Sequence, residues 1–292
     1  MSRCVLCLVL AIAGCAAGSM DSRQATAPAL RVMSFNIRFG TADDGPNRWE
    51  VRRDAVVAAI REFDPDVLGT QETLAAQRDF LLAALPGFAA VAVGRDDGRD
   101  KGEMTATFYR RDRFDLLDSG HFWLSLSPDQ PGSKDWDTAI TRMATWLKLR
   151  DRREPTRPPI LVINTHFDHV GQTARLESAR LIRRRAVEMG KGCSIIVMGD
   201  FNCGDDDPPH AALVGQQDDG IDLFDTYRAI HPARGPDEAT LHAFDATKVK
   251  GERIDWILAT PDFKVESAAI DRSLPGGRVP SDHFPVTAVL RR

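Results

Sequence analysis

Residues 194–202 have the pattern of a buried strand that ends in two short polar side chains. Four apolar residues at positions 195–198 run into Gly199, and Asp200 and Asn202 follow. Asp and Asn side chains at the mouth of a buried strand lose hydration unless they gain a partner, and a metal ion or a phosphate group would suit them. The same residues also fit an ordinary turn, because Asp and Asn favour Asx turns. The rest of the chain must decide between the two.

Polar residues follow most of the other apolar runs as well. Ligand sites in sheet proteins lie at strand ends, where the sheet fixes the side chains and the ends stay accessible. A set rich in Asp, Glu, Asn and His favours Mg²⁺, with Mn²⁺ as an alternative, over zinc, which prefers His and thiolate ligands. The residues expected at this site are Asn36, Glu72, His166, Asp168, Asp200, Asn202, Asp255, Asp282 and His283.

Hydrophobic periodicity predicts the elements that must position these residues. Strands are expected at residues 30–36, 66–72, 105–110, 121–126, 139–149, 160–167, 194–200, 253–258 and 285–290, and helices at residues 49–63, 74–85 and 174–189. The acidic stretch at residues 204–220 is expected to be irregular. No linker divides the body, so residues 30–292 are expected to form one domain.

The chain resembles the endonuclease/exonuclease/phosphatase superfamily, because six motifs occur in the family's order between about residues 31 and 290. They are Ser34-Phe35-Asn36, Thr70-Gln71-Glu72, Asn164-Thr165-His166-Phe167-Asp168, Gly199-Asp200-Phe201-Asn202, Arg253-Ile254-Asp255 and Ser281-Asp282-His283-Phe284-Pro285. The resemblance implies an α/β fold, a four-layer α/β/β/α sandwich with two mixed β-sheets packed face to face. It also implies divalent-metal-dependent hydrolysis of a phosphodiester or phosphomonoester by an activated water, with a phosphodiesterase or nuclease favoured over a phosphomonoesterase.

The same resemblance assigns roles to individual residues. Glu72 resembles the principal metal ligand, assisted by Asn36 and Asp282. Asp200 would orient and activate the attacking water, Asn202 would hold the phosphate, and His283, oriented by Asp255, would act as a general base or stabilise the transition state. Further site residues are His166, a second catalytic histidine oriented by Glu103, and Arg142, which would contact the substrate phosphate; Asp168 and His169 receive no role.

Composition restricts the partners without identifying the substrate. A formal net charge of -4 gives no overall attraction to nucleic acid. The arginines at positions 180, 183, 184 and 185 could line a local basic groove, although a solvated helix face is the simpler interpretation. Residues 121–136, which include Phe122 and Trp123, could form an apolar lip near the site or belong to the core. Nucleic acid, lipid and small-molecule phosphate esters all stay open, and we expect a monomer.

The N-terminus has the layout of an export signal. Residues 1–18 contain one Arg, a short apolar run and small residues directly before Cys15, a pattern similar to a bacterial lipobox. We therefore expect a lipoprotein with a lipid on Cys15, on the periplasmic side or at the outer membrane, and a flexible tether over residues 19–29. A plain signal peptide and a secreted or periplasmic soluble protein are the alternative.

Two further expectations concern the body of the chain. Cys193 and Cys203 bracket the extended segment 194–200, so their separation is too large for a disulfide. A non-catalytic, ligand-binding lipoprotein with the same fold is the competing function, and it predicts the loss of a key residue. Because Glu72, Asp200 and His283 are all present, the enzyme is the favoured interpretation.

Overall fold

Two β-sheets pack face to face and carry helices on their outer sides in this computed structural model, which describes residue 1 and residues 29–292. The expected α/β/β/α sandwich is therefore confirmed. The signal segment, Cys15 and the tether up to residue 28 lie outside the described residues. Among the residues that are described, no helix combines the length and apolar character needed to cross a bilayer.

Residues 29–292 contain thirteen strands, five α-helices and two short 3-10 helices. The strands are β1 Leu30–Asn36, β2 Val67–Thr73, β3 Phe88–Val91, β4 Met104–Arg110, β5 Phe114–Trp123, β6 Met143–Asp151, β7 Ile160–His166, β8 Ser194–Asp200, β9 Gly215–Gln216, β10 Asp222–Asp225, β11 Asp255–Ala259, β12 Lys264–Ile270 and β13 Val286–Arg291. The helices are α1 Trp49–Phe63, α2 Ala75–Ala84, α3 Gln172–Met189, α4 Pro208–Leu213 and α5 Thr226–Ile230.

Both sheets are mixed. The first has the order β12-β13-β1-β2-β4-β3, and the second has the order β5-β6-β7-β8-β11-β10-β9. Each contains one parallel pair, β1 with β2 and β7 with β8, among antiparallel neighbours. The two parallel pairs occupy the middle of their sheets, so their C-terminal ends lie at the centre of the sandwich edge.

Alternate residues of the central strands belong to different cores. In β8, Ile196 and Met198 pack between the sheets, whereas Ile195 and Val197 pack beneath the outer helices. Since successive side chains of a strand point to opposite faces, Asp200 continues the face between the sheets. This double burial explains why the strand sequence is continuously apolar.

Polar side chains join the two sheets close to this edge. The Gln71 side-chain amide donates to Asn164 Oδ1 at 2.7 Å, and the Asn164 amide donates to the carbonyl oxygens of Thr70 and Ala106, each at 3.1 Å. All of these groups are buried, so each hydrogen bond avoids an unpaired polar atom between the sheets. The contacts fix how one sheet lies on the other where the polar strand ends meet.

Several local expectations were wrong. Strand β6 starts at Met143 rather than at residue 139, because the amides of Ala139 and Ile140 donate to Asp168 instead of to a neighbouring strand. Residues 204–220, expected to be irregular, contain helix α4 and strand β9. For residues 121–136, where an apolar lip and a core were both open, Phe122 and Trp123 are buried in the core, and Trp136 is only half-buried.

The prediction of an exposed basic face on helix α3 was also only partly correct. Arg183 is buried, pairs with Asp219 at 2.5 Å and donates to the carbonyl oxygen of Leu213. Arg180 pairs with Glu177, and a third member, Arg185, pairs with Asp129 and Glu188. Acidic partners therefore neutralise most of this arginine cluster. The prediction for Cys193 and Cys203 is confirmed, because both are free thiols.

A buried ion network supports the segment that follows β8. Arg253 donates to Asp225 at 2.5 Å and to Asp205 at 2.9 Å, and His210 Nε2 lies 3.1 Å from Asp225. The second Asp225 oxygen accepts the amides of Tyr227 and Arg228 at the start of α5. Burial alone would raise the pKa of Asp225, but the bonds from His210 and Arg253 lower it to about 2.

We expect Asp225→Asn to lower the free energy of unfolding by about 2 kcal/mol at pH 7. The folded pKa lies below the ordinary value of 3.8, so this contribution is complete above pH 4 and disappears as the pH falls towards 2. Urea unfolding at pH 7 and pH 3 measures the difference. Asp222→Asn on the same strand is the control, and an equal effect of both substitutions would contradict the assignment.

Candidate functional site

The polar residues predicted at strand ends converge on one edge of the sandwich. Asn36, His166, Asp200 and Asp255 continue the inter-sheet faces of β1, β7, β8 and β11. Glu72 joins them from the end of β2, and Asn202, Asp282 and His283 join them from loops. The members of this set that line a cavity of about 290 Å³ are Glu72, His166, Asp200, Asn202, Asp282 and His283. The structure therefore brings these residues together at one edge, as the sequence predicts, and their roles there stay predictions.

Gly199 allows β8 to reach this edge. Its φ of +154° is rarely adopted by residues with a side chain, and an added Cβ would lie 2.1 Å from the carbonyl oxygen of Thr165. The glycine therefore brings β8 close to β7 immediately before Asp200. A plain turn would not need this close approach.

Asp200 has one carboxylate oxygen surrounded by nitrogen atoms. Its Oδ2 atom lies 2.9 Å from Asn36 Nδ2, 3.4 Å from His166 Nε2 and 3.8 Å from His283 Nε2. Its Oδ1 atom accepts the Asn202 amide at 3.0 Å. Burial and the neighbouring Asp255 raise the pKa of Asp200. A carboxyl group with a raised pKa is suited to accepting a proton near neutral pH.

His283 and Asp255 form an oriented pair. His283 Nδ1 lies 2.9 Å from Asp255 Oδ2, which leaves Nε2 facing Asp200. Burial alone would lower the pKa of His283, but Asp255 and Asp200 raise it well above 6.5, so the imidazole is cationic at neutral pH. The predicted orientation of His283 by Asp255 agrees with this geometry.

His166 differs from His283 in its electrostatic environment. Burial and the neighbouring Arg142 lower the pKa of His166 well below 6.5, so its imidazole is neutral. The family resemblance predicts that Glu103 orients His166. Both Glu103 oxygens instead accept from Arg95 at 2.8 Å, because Arg95 lies eight residues earlier on the same loop. Glu103 lines the cavity, but the described contacts pair it with Arg95.

Glu72 leaves its strand through an irregularity. The register of β2 against β4 shifts between Thr70 and Thr73, and Glu72 has a φ of +56°. Such a bulge turns a side chain away from the regular alternation. Glu72 Oε1 accepts from Asn36 Nδ2 at 3.0 Å, while Oε2 accepts the Phe39 amide at 3.2 Å. The carboxylate is thereby held at the cavity wall.

Glu72 and Asp282 are the residues best suited to hold a divalent cation. Arg38 Nη1 lies 3.8 Å from Glu72 Oε2, and Arg38 Nε lies 3.8 Å from Asp282 Oδ2. Burial and the charge of Glu72 raise the pKa of Asp282, so the two carboxylates favour an additional cation. Two carboxylates beside an open cavity match the way Mg²⁺ binds together with water and phosphate.

Asn36, the third expected ligand, has another role in this geometry. Its Nδ2 atom serves Glu72 and Asp200, and its Oδ1 atom accepts the Arg38 amide at 3.0 Å. It therefore fixes two carboxylates relative to each other.

A second acidic group, Asp200, Asp255 and His283, has ligand atoms close enough to share an ion. However, Asp255 and His283 already bond to each other, and Asp255 is fully buried. Mg²⁺ keeps several waters, so the open pair Glu72 and Asp282 suits it better.

Arg142 is a buried guanidinium with unused donors. It is 5% exposed, and its Nε and Nη1 atoms have no hydrogen-bond partner among the described residues. Its Nη2 atom lies 3.2 Å from His169 Nδ1, and Asp168 is 3.8 Å from Nε. Burying a charge without full hydrogen bonding is costly, so this cavity favours an anion beside Arg142.

Asn202 and Asp168 support the loops around the cavity. Asn202 has a φ of +50°, and its side-chain amide donates to the carbonyl oxygen of Phe167 at 3.0 Å. Asp168 accepts backbone amides from residues 139, 140, 170 and 171. These bonds hold the pKa of Asp168 well below its ordinary value although burial opposes them. Asp168 is thus a structural connector between two loops.

Sequence reasoning missed part of the cavity lining. The additional residues are Arg38, Phe39, Ile140 and Leu241, and His169, which had no assigned role, joins them. Arg38 and Phe39 directly follow the Asn36 motif, so proximity in sequence could have indicated them. Leu241 is distant from every motif in sequence, and no local pattern marks it.

The family model of the endonuclease/exonuclease/phosphatase family matches residues 33–283. An endonuclease/exonuclease/phosphatase protein from Bacteroides vulgatus is 36% identical, with a TM-score of 0.81 over 90% of this chain and 99% of that one. A mannosyl-6-phosphatase from Bacteroides thetaiotaomicron is 34% identical, with a TM-score of 0.80 over 90% of this chain and all of the other (100%).

More distant matches agree with the fold. The human nocturnin catalytic domain shares 19% identity with a TM-score of 0.71 over 90% of this chain and 94% of that one, which supports the fold alone. An uncharacterised protein of Acanthamoeba polyphaga mimivirus is 25% identical over 238 residues, 69% of this chain. The chain spans only 32% of the length of that curated relative.

We expect Glu72→Gln to weaken Mn²⁺ binding at least tenfold, because even the loss of a ligand's hydrogen-bond partner costs roughly 10- to 100-fold in metal affinity. Titration followed by electron paramagnetic resonance measures the free ion. Glu103→Gln is the matched control, since Glu103 lines the same cavity but is bound to Arg95. Unchanged affinity in Glu72→Gln would contradict the metal assignment.

Proposed function

The chain belongs to the endonuclease/exonuclease/phosphatase family, and from this premise we propose that it hydrolyses a phosphate ester with the help of a divalent metal ion, Mg²⁺ or Mn²⁺. The observation that carries the proposal is the buried guanidinium of Arg142, which lines the same cavity as Asp200 and His166 and has two nitrogen atoms, Nε and Nη1, without a hydrogen-bond acceptor among the described residues. A phosphate group in that cavity would supply the acceptors that Arg142 lacks. The metal-ligand pair Glu72 and Asp282 lines the same space.

The chemistry requires a water activated for attack and stabilisation of the charge on the phosphate. Asp200 accepts the proton of the attacking water, whose oxygen forms the new bond to phosphorus while the ester bond to the alcohol breaks. The metal ion, held by Glu72 and Asp282, would neutralise charge on the phosphate oxygens. Arg142 and Asn202 hold those oxygens. Asn36 donates hydrogen bonds to both Glu72 and Asp200 and so fixes these two carboxylates relative to each other.

The two histidines take different parts because their charges differ. His283 is cationic, so it stabilises negative charge and can donate a proton to the departing alcohol oxygen. The sequence left Asp200 and His283 open as the general base, and the electrostatics favour Asp200. His166 is neutral and serves as a hydrogen-bond donor near Asp200.

We propose a small phosphate monoester as the substrate. The arginines at positions 180, 183 and 185, which were candidates for a local nucleic-acid groove, are paired with carboxylates, and this weakens the argument for a nuclease. A cavity of about 290 Å³ is at the lower end of small-ligand sites. The 34% identity to a mannosyl-6-phosphatase also favours a sugar phosphate over the diester expected from the sequence.

A non-catalytic binding protein is the competing function. It would hold a phosphate ester through Arg142 without turnover. The intact set of Glu72, Asp200, Asn202 and His283 favours the enzyme, because a binding protein does not need an oriented His283–Asp255 pair.

A substrate panel tests the proposal. With Mg²⁺ or Mn²⁺ we expect release of inorganic phosphate from mannose 6-phosphate or a related hexose phosphate. EDTA should abolish this release, and nucleic acid, a chromogenic bis-phosphodiester and sphingomyelin should react much more slowly. Asp200→Asn and His283→Ala should each lower kcat at least about 100-fold, the usual contribution of an acid or base group.

Circular dichroism and thermal unfolding serve as the folding control for both variants. Near-normal turnover by folded Asp200→Asn would contradict the role of Asp200. Binding of hexose phosphate without EDTA-sensitive turnover would favour the binding protein, and preferred cleavage of a diester would contradict the monoester.

We also propose that the protein acts outside the cytoplasm as a lipoprotein anchored through Cys15. The lipobox-like sequence before Cys15 supports this location. Expressed in a Gram-negative host with labelled palmitate, the full chain should carry the label and fractionate with membranes. Cys15→Ser should lose the label, whereas release of an unlabelled, soluble wild-type protein would support a plain signal peptide.

A further inference from the structure

We infer that Leu241 determines substrate specificity by contacting the carbon skeleton of the leaving alcohol. This inference rests on the proposed phosphate-ester hydrolysis. Leu241 lines the same cavity as Asp200 and His283, yet it is 46% exposed. A large apolar side chain at the mouth of a polar cavity is poorly suited to water and well suited to an apolar part of a ligand.

Backbone hydrogen bonds fix Leu241 beside the catalytic histidine. Leu241 and His283 face each other in an isolated antiparallel bridge. On one side, the Phe284 amide donates to the carbonyl oxygen of Thr240 at 2.8 Å. On the other, the amides of residues 242 and 243 both donate to the carbonyl oxygen of Asp282, at 2.8 and 3.1 Å. Leu241 therefore keeps a constant place relative to His283.

The turn after Leu241 has an unfavourable backbone conformation. Ala243 has a φ of +51° and Phe244 a φ of +64°, a region in which residues with a side chain cost about 1–3 kcal/mol each. The guanidinium of the fully buried Arg52 lies over the Phe244 ring, 5.7 Å from its centroid, and contacts this turn there. Two adjacent strained residues beside a reacting group indicate that the position of this segment serves the reaction.

The cavity has both polar and apolar lining residues. Asp200, His166 and Arg142 surround the expected phosphate, while Phe39, Ile140 and Leu241 are its apolar lining residues. Arg142 and Asp200 are buried, whereas Leu241 is 46% exposed at the mouth of the same cavity. The alcohol part of a substrate whose phosphate lies beside Arg142 must therefore extend towards this mouth. Leu241 is the apolar side chain paired with His283.

The chemical class that follows is a primary phosphate monoester whose alcohol carries a ring next to the ester carbon. A hexose 6-phosphate has this shape, since the carbon face of its ring can lie on Leu241. Methyl phosphate has the same reacting group and no ring, so it cannot make this contact.

The test compares cyclohexylmethyl phosphate with methyl phosphate, two alkyl monoesters with similar leaving groups. We expect the wild-type kcat/KM with Mg²⁺ to be at least about tenfold higher for the cyclohexylmethyl ester, the usual effect of an apolar contact. In Leu241→Ala this ratio should fall at least about fivefold, and in Leu241→Met it should fall less. The reduction should appear mainly in KM, because the contact does not involve the reacting atoms.

Leu274→Ala is the matched control, because Leu274 is 42% exposed and does not line this cavity. It should keep the wild-type ratio. A wild-type ratio near one, or an unchanged ratio in Leu241→Ala, would overturn the inference while leaving phosphate-ester hydrolysis intact. Failure of the wild-type protein to hydrolyse any phosphate ester would overturn the proposed function and the inference together.

Discussion

The arrangement of this site depends on one buried carboxylate oxygen, Asp200 Oδ2. Nitrogen atoms of Asn36, His166 and His283 approach it from three other segments of the chain. The Asn36 amide also holds Glu72, so a single side chain links a carboxylate of one sheet to a carboxylate of the other. If either sheet shifted along its strands, Asp200 and Glu72 would both lose their hydrogen bonds to Asn36. The same hydrogen bonds therefore determine how the two sheets pack and where the side chains of the site lie.

Much of this arrangement could be predicted from local sequence. Met198 lies on the inter-sheet face of β8. Residues two positions apart in a strand share a face, so Asp200 is expected on the same face. In β1, Asn36 lies four residues after Val32, so it is expected on the face of β1 that packs against the second sheet. Glu72 breaks the rule, because the bulge in β2 gives it a φ of +56° and redirects its side chain. A bulge depends on the partner strand, so its position is not evident from the segment itself.

The remaining differences arise from contacts between segments far apart in sequence. Arg183 has the spacing of an exposed helix position, but Asp219 and two carbonyl oxygens draw it into the interior. The family resemblance predicts that Glu103 orients His166, but Arg95 on the same loop donates to both of its carboxylate oxygens. Leu241 acquires significance only through its pairing with His283. Hydrophobic periodicity predicts which residues share a face of an element, but it does not predict their tertiary contacts.

The positive φ angles at Arg38, Glu72 and Asn202 have a consequence for the evolution of this chain. Glycine would adopt these conformations without steric penalty, so replacing any of the three would relieve local strain. This sequence carries side chains at three positions where the backbone conformation favours glycine, which is the usual form of a trade-off between stability and function. A screen that selects only for heat resistance would therefore favour glycine at these positions and remove three side chains that line the cavity. Stabilising substitutions belong in the helices, away from this edge.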